Sequence, residues 1–456
     1  MKTLKINGLI AVVLATILLN ACKKDWLNAK PNKALVVPTT VADYQALLDN
    51  SEQMNTNYPS LYMLGDGDFE ISDADFLSIS ADQRGAYSWA DTKDFYGGLQ
   101  NGDWITAYAT ILNANVVLDG IKSIAIDPSS TVAYNNVKGS ALFYRSLLFY
   151  DLAQESCKPY ASSTANTDLG LPLRTSADVN LTVERSTVQQ TYDQIINDLL
   201  AAVPMLPVKP AVGMRPSRPA AFGLLSRVYL AQQNYSKALL YADSCLQLNN
   251  SLMDFNSLSA STMNPIPRFN QEDLFHCMLN NYYVFYYTDL IVDPTLYQSF
   301  AANDLRKVIY FIPEGNNFSF QGSYDSDALL YGGIATDEMY LNRAECYARA
   351  GNTSAAMADL NALLKTRWLT GTYVDLTAAN TDDALTKILI ERRKELCYRG
   401  LRWTDLRRLN TDPQFQTTIT RIANGQTYTL PPNSPNYVLP LDDYEIKVGG
   451  LQQNPR

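Results

Sequence analysis

Apolar residues recur three and four positions apart over much of this chain, and that spacing predicts helices. The clearest case is Val188, Tyr192, Ile195, Ile196, Leu199, Leu200 and Val203, which fall on one helical face between the candidate caps Ser186 and Thr187 and the stop Pro204. Similar stripes run through Trp104, Tyr108, Ile111, Leu112, Asn115, Val116 and Leu118, and through Leu142, Arg145, Leu148, Phe149 and Leu152. A shorter one, Val41, Tyr44, Leu47 and Leu48, follows Thr39 and Thr40.

Two later segments repeat each other. Phe222 is followed by Tyr229 seven residues on and Ala238 nine further; Tyr340 is followed by Tyr347 and Ala356 at the same intervals. Two aromatics and then a small residue let one helix of a hairpin nest against the next, as in tetratricopeptide units, and Leu225 and Tyr235 fit that pattern too. The copies lie much farther apart than the ~34 residues of a regular array, so irregular chain is wedged between them. That wedge, about 250–335, is punctuated by Pro265, Pro267, Pro294 and Pro313, and Asp273 to Tyr287 reads as one or two strands. A second irregular region, about 55–102, is rich in Asp, Ser, Gly and aromatics. Loops carried by a rigid scaffold are where binding groups concentrate.

The start of the chain changes the picture of where this body works. A short basic stretch, Met1 to Lys5, precedes an apolar run from Ile6 to Leu19 that is too short for the ~20 residues of a membrane span. Residues 1–21 therefore read as a signal peptide. Leu19, Asn20, Ala21 and Cys22 resemble a bacterial lipobox, which makes Cys22 the expected acylation site and 22–456 a single domain on a lipid tether. Lys23, Lys24 and Asp25 resemble the export signal of surface lipoproteins.

Composition narrows the chemistry. Lys and Arg total 37 against 46 Asp and Glu, a net charge of −9, which gives no cation excess for binding a nucleic-acid backbone. With His276 as the single histidine, histidine triads, HExxH zinc sites and two-His metal sites, each of which needs more than one imidazole, are ruled out. Beyond Cys22 there are five cysteines, an odd number with no CxxC, so no disulfide framework or zinc knuckle is encoded; Cys245, Cys346 and Cys397 read as small buried hydrophobes. The acid cluster Asp66, Asp68, Glu70, Asp73 and Asp75 has Ile71 where an EF-hand needs glycine, and Gly65 and Gly67 lead to Glu70 where a dinucleotide fingerprint needs a third glycine. It reads as a solvated loop. No metal or cofactor is expected. His276, alternating with Leu274 and Met278, reads as structural. The run from Glu391 through Gly400 to Arg408 reads as a charged helix face followed by a turn in which Asp405 meets an arginine.

Aromatics point to the ligand. Tyr outnumbers Phe by 29 to 15, and amphipathic rings suit half-exposed positions. Tyr87, Trp89, Phe95 and Tyr96 form one run outside helical period, and Tyr282, Tyr283, Phe285, Tyr286 and Tyr287 form another. Such rings stack on sugar faces while neighbouring amides and acids bond hydroxyls. Tyr87, Trp89, Tyr96, Tyr283 and Tyr286 are the candidate ligand contacts, expected to come together as one platform, with Trp89 offering the largest face.

Taken together, the lipobox at Cys22, Asn115 in its helix, Gly139 with Arg145, and Leu169 to Pro172 before Arg185 resemble a SusD/RagB-type outer-membrane nutrient-binding lipoprotein. The hairpin of Glu338, Tyr340, Ala344, Glu345, Gly351, Leu360 and Asn361 fits, as do Glu391 to Arg408 and the closing Leu439, Pro440, Leu441, Glu445, Gln453, Asn454 and Pro455. Arg399 in place of an acid, and Lys447, Val448 and Gly449 in place of an Asn-Pro turn, depart from the pattern. The resemblance implies an all-α body of about four tetratricopeptide-like helix pairs with long irregular insertions and minor β structure. It further implies non-catalytic capture of a glycan or oligosaccharide at the outer membrane, facing the cell exterior, and delivery to a SusC-like TonB-dependent transporter. A surface glycoside hydrolase and a RagB-like peptide binder are the alternatives.

Overall fold

The structure, a computed structural model, describes residues 38–285 and 290–456. The leader 1–21, Cys22, Tyr286 and Tyr287 lie outside the described residues. Among the described residues eleven helices reach eight residues or more: α1 Val41–Leu48, α2 Ala81–Ser88, α3 Gly102–Gly120, α4 Thr131–Ser156, α5 Val188–Ala202, α6 Arg218–Ala231, α7 Tyr235–Leu248, α8 Thr336–Arg349, α9 Thr353–Lys365, α10 Thr381–Glu395 and α11 Arg402–Leu409. Six of them start on a side-chain cap. Thr187 and Gln190 close a reciprocal capping box on α5, and Asn101, Ser217, Asn234, Asn352 and Asn380 accept from first-turn amides of α3, α6, α7, α9 and α10.

The strands are short and all antiparallel. Phe69–Glu70 (β1) pairs with Ile291–Val292 (β5), Leu169–Pro172 (β2) with Arg185–Thr187 (β3), and Asp273–Phe275 (β4) with Ile334–Ala335 (β8). Phe311–Glu314 (β6) pairs with Asn317–Phe320 (β7), and Ile419–Ala423 (β9) with Gln426–Leu430 (β10). Among the described residues of Asp273 to Tyr287, only β4 is a strand; bridges at Met278 and Leu279 and a 3-10 turn at Tyr283–Phe285 follow.

Within the compact unit Val41–Arg456, α3 packs on α4, α4 on α5, and the series continues through α6, α7, α8 and α9, with α10 against α8 and α9. The chain is thus an all-α body with minor β structure, as the helical periods imply. The two repeated hairpins are α6–α7 and α8–α9, and they stack directly because α7 packs on α8. The wedge between them is looped out of a helical array that stays continuous in space. Inside the first hairpin Tyr229 stacks on Tyr241 at 5.5 Å, and Ser226 donates to the carbonyl of the fully buried Ala238. Ala238 packs with Leu230 of α6 and Cys346 of α8, where the two hairpins meet.

Helix α4 departs from the one-faced stripe its sequence suggests. From Gly139 to Ser156 every residue is buried, since α1, α3 and α5 pack around it and Phe143 meets Phe275 of β4 at 4.8 Å. Its polar groups are paired accordingly: Arg145 donates to Asp198 at 2.7 and 2.9 Å and to Asn115 at 2.8 Å. The five cysteines from Cys157 to Cys397 are all buried and unbridged, the packing role expected for Cys245, Cys346 and Cys397.

Charges anchor the looped-out segment. Arg367, after α9, donates to Glu272, Glu395 and the Met253 carbonyl, while Arg306 donates to Asp304, Glu391 and Glu395. Arg306, Arg367, Glu272 and Glu395 are all fully buried. The charged face read into Glu391–Arg408 is therefore largely interior. Its turn is as expected: the chain passes through Tyr398 and Gly400 at positive φ, and Asp405 accepts from Arg392 and Arg408. Arg408 and Glu345 form a bidentate pair at 2.6 and 2.7 Å.

His276 is structural as well. Its ring is fully buried, with Nδ1 2.7 Å from Asp273 and Nε2 2.9 Å from Asp325. Burial by itself lowers the imidazole pKa, but the two carboxylate hydrogen bonds outweigh it and the net shift is upward. A raised folded-state value means that the imidazolium stabilises the fold in full below about pH 6.5 and that this contribution fades as pH rises through the folded value. In untagged protein the ring resonances of this sole histidine stand alone in the NMR spectrum, and they should titrate with a midpoint above about 6.5. A midpoint at or below that value would contradict the doubly bonded imidazolium.

Candidate functional site

The two irregular regions meet. β1 lies in 55–102 and β5 in the wedge, and Phe69 pairs with Val292 and Glu70 with Ile291. Beside this ladder opens a polar cavity of about 350 Å³, lined by Asp66, Gly67, Phe69 and Glu70, by Asp293 and Thr295, by Arg393 and Arg402, and by Thr417 to Arg421. Four stretches remote in sequence converge there: the segment 66–70, the wedge, helices α10 and α11, and β9 with the residues just before it.

Its electrostatics follow from burial. Arg393 donates Nε to Asp68 at 2.9 Å and a second nitrogen to the Gly67 carbonyl at 3.1 Å, with Asp293 3.4 Å away. One Asp68 oxygen remains buried without a partner. Burial, and next the negative charge of Asp68, hold the Asp66 carboxyl well above the usual carboxylate range. Arg402 has a buried Nε without a hydrogen-bond partner; burial and then the neighbouring Arg393 charge lower its pKa. The acid cluster is accordingly split: Asp66 and Asp68 are buried where a solvated loop was expected, whereas Asp73 and Glu70 are exposed. The cavity can both donate to and accept from hydroxyls, through guanidiniums, carboxyls and threonine side chains.

None of the described aromatic candidates lines this cavity. Tyr87, Trp89 and Tyr96 are buried, at 0%, 4% and 4% exposure, and present no face for stacking. Trp89, left-handed at the end of α2, donates its indole N–H to the Gly65 carbonyl at 3.0 Å. The Arg421 guanidinium lies 3.9 Å from the Tyr87 ring centre and 4.5 Å from that of Trp89, a cation–π arrangement. It also donates to the Leu64 and Tyr87 carbonyls. These rings thus form the floor that holds Arg421 against the cavity. Tyr96 donates to the Pro440 carbonyl and accepts from Asn101, tying the irregular segment to the end of the chain. The cause is simple: Tyr87 lies within the short helix α2 and Trp89 caps its end, and this part of the chain uses its large rings to build its own core. Tyr283 alone of the four described candidates is exposed, at 58%. It lies two residues before Phe285, whose ring is 6.0 Å from that of Phe69 in the cavity wall.

Gly65 shows how tightly the floor is built, since a Cβ there would lie 2.8 Å from the Trp403 ring and 3.0 Å from the Trp89 indole nitrogen. Arg402, Arg421, Asp293 and the threonines were not singled out by sequence. Arg402 lay inside the Glu391–Arg408 run, but nothing in its spacing separates a cavity-lining arginine from a paired one.

A family model described as starch-binding and associating with the outer membrane matches residues 25–230, and a SusD family model matches residues 336–456. The chain belongs to the SusD family. Among solved structures, a SusD superfamily protein from Bacteroides thetaiotaomicron is 22% identical with a TM-score of 0.74, covering 91% of this chain and 100% of its own. A SusD-like carbohydrate binding protein from Bacteroides vulgatus is 22% identical with a TM-score of 0.67, covering 91% of this chain and 97% of its own. A SusD superfamily protein from the same species is 21% identical with a TM-score of 0.73, covering 92% and 99%. At these identities the likeness is one of fold. Comparison with curated proteins returned no match.

If Trp89 is a floor residue, Trp89→Ala should remove ~3 to 5 kcal/mol of stability, lowering the melting temperature whether or not glycan is present. A variant with unchanged melting and weakened glycan binding would return Trp89 to the ligand.

Proposed function

We propose that this protein captures a glycan or oligosaccharide in the cavity between β1, β5, α11 and β9 and delivers it to a SusC-like TonB-dependent transporter without chemical change. The observation that carries the reading is the unpartnered Nε of Arg402 in a cavity also lined by Asp66, Glu70, Asp293 and four threonines. Vicinal hydroxyls donate to a carboxylate and accept from a guanidinium at once, so such a wall suits a polyol better than an apolar ligand. Tyr283 is the exposed ring among the described aromatic candidates, and we assign it the stacking face. The family description, and the words carbohydrate binding attached to one solved relative, agree with it. Cys22 would hold the body to the outer membrane, exposed to the cell exterior; no helix among the described residues is long and apolar enough to cross a membrane.

Asp66, Glu70 and Asp293 line one cavity, and paired carboxylates are also what glycoside hydrolysis uses. Release of reducing ends from a polysaccharide panel would establish that second reading and end the non-catalytic one.

Two experiments test the proposal. In affinity electrophoresis across gels holding different glycans, the wild type should be retarded by at least one. Arg402→Ala, which removes a charged hydrogen-bond donor worth ~1.5 to 3 kcal/mol, should weaken that binding roughly 10- to 150-fold at unchanged melting temperature. Retardation equal to wild type would remove Arg402 from the site. From detergent-solubilised outer membrane, the lipoprotein should bring down a large β-barrel through an interface above ~1,000 Å²; recovery of the lipoprotein alone in several mild detergents would count against delivery to a transporter.

A further inference from the structure

A second cavity, of about 320 Å³, shares no lining residue with the first. It lies where the end of α4, the end of α11 and the segment 433–438 come together. Its apolar walls are Pro159, Tyr160, Pro435 and Val438.

Three side chains that line it are almost wholly buried and each keeps an unsatisfied polar atom: Arg407 at 3% exposure with Nε, Asn410 at 1% with Nδ2, and Tyr437 at 1% with its hydroxyl. All three are donors. Buried donors left unpaired are costly and native structures keep few of them, so three in one cavity call for an acceptor. The Asn410 amide leans towards the Tyr437 hydroxyl without closing a hydrogen bond. Even if it did close one, the hydroxyl proton would still have no acceptor.

Arg407 sharpens the point. Its terminal nitrogens reach the carbonyls of Ala153 and Cys157 at the end of α4, a favourable place for a cation. Yet among the described residues no carboxylate pairs with it, whereas the adjacent Arg408 has both Glu345 and Asp405. Its hydrogen bonds go to backbone carbonyls, its nearest titratable neighbours are the Tyr192 and Tyr150 phenols and the Cys157 thiol, and burial lowers its pKa. The one carboxylate lining the cavity, Asp168, is bonded to Lys158 at 2.7 Å.

We propose that this cavity binds a small molecule carrying one carboxylate on an apolar body, the carboxylate meeting Arg407, Asn410 and Tyr437 and the body lying against the prolines and Val438. A guanidinium flanked by two neutral donors matches a single carboxylate, and the apolar walls disfavour a free inorganic anion. The inference is independent of the glycan reading.

Benzoate and octanoate are suitable probes, with benzamide as the neutral control, in calorimetric titrations of the full-length protein. At least one carboxylate should bind with a Kd of about 1 mM or tighter, and benzamide should bind at least about tenfold more weakly than benzoate if benzoate is the one that binds. Tyr437→Phe removes one donor without changing shape, and should weaken carboxylate binding about tenfold while leaving melting unchanged or raised. Thr164→Trp, at an exposed position on the rim, should abolish binding while leaving glycan retardation as in wild type. Failure of both carboxylates to saturate, equal binding of benzamide and benzoate, or undiminished binding by Thr164→Trp would overturn the proposal.

Discussion

A single buried carboxylate, that of Glu395, is shared by two guanidiniums that come from separate segments of the chain. Arg367 brings the end of the repeated hairpins and Arg306 brings the looped-out segment, and both reach Glu395 in full burial. Taking such charges out of water costs several kcal/mol per ion unless geometry and hydrogen bonding compensate. Here every guanidinium edge has an acceptor, among them Asp304, Glu272, Glu391 and the Met253 carbonyl. An apolar core of the same volume could hold the segment as firmly, but it would accept several registers. Directional pairs accept one, and that register puts β5 beside β1 and thereby forms one wall of the polar cavity.

Where sequence legibility ends follows from the same physics. The helices were legible because their burial is periodic within a dozen residues, as in α5, where stripe, caps and proline stop agree with the observed Val188–Ala202. The hairpin spacing marked both repeat units, though it could not say that α7 would pack on α8 across the intervening loops. Charge was read wrongly in Glu391–Arg408 because a run of ionic residues looks solvated until its partners are known, and Arg306 lies far off in sequence. The fate of the aromatic rings was hidden for a related reason. Trp89 in an aperiodic stretch carries no mark that says whether it faces a sugar or the carbonyl of Gly65.

Both cavities border α11, the short helix after the Gly400 turn. Arg402 stands at its first turn and Arg407 at its last, so they serve different cavities, while Arg408 and Asp405 lock the helix to α8 and α10. A segment that reads as a charged helix face and a turn is thus divided into residues that hold the scaffold and residues left with bonding capacity to spare.

The buried thiols have a practical meaning. Cys157, Cys245, Cys277, Cys346 and Cys397 are all inside, and burial pushes each thiol pKa up, so at neutral pH none is a ready thiolate. Among the described residues the molecular surface is chemically silent towards maleimides. A cysteine introduced on an exposed loop of the wedge and another on the outer face of α9 would therefore take spin labels or fluorophores in an otherwise native background, turning the distance between insertion and scaffold into a directly observable ruler.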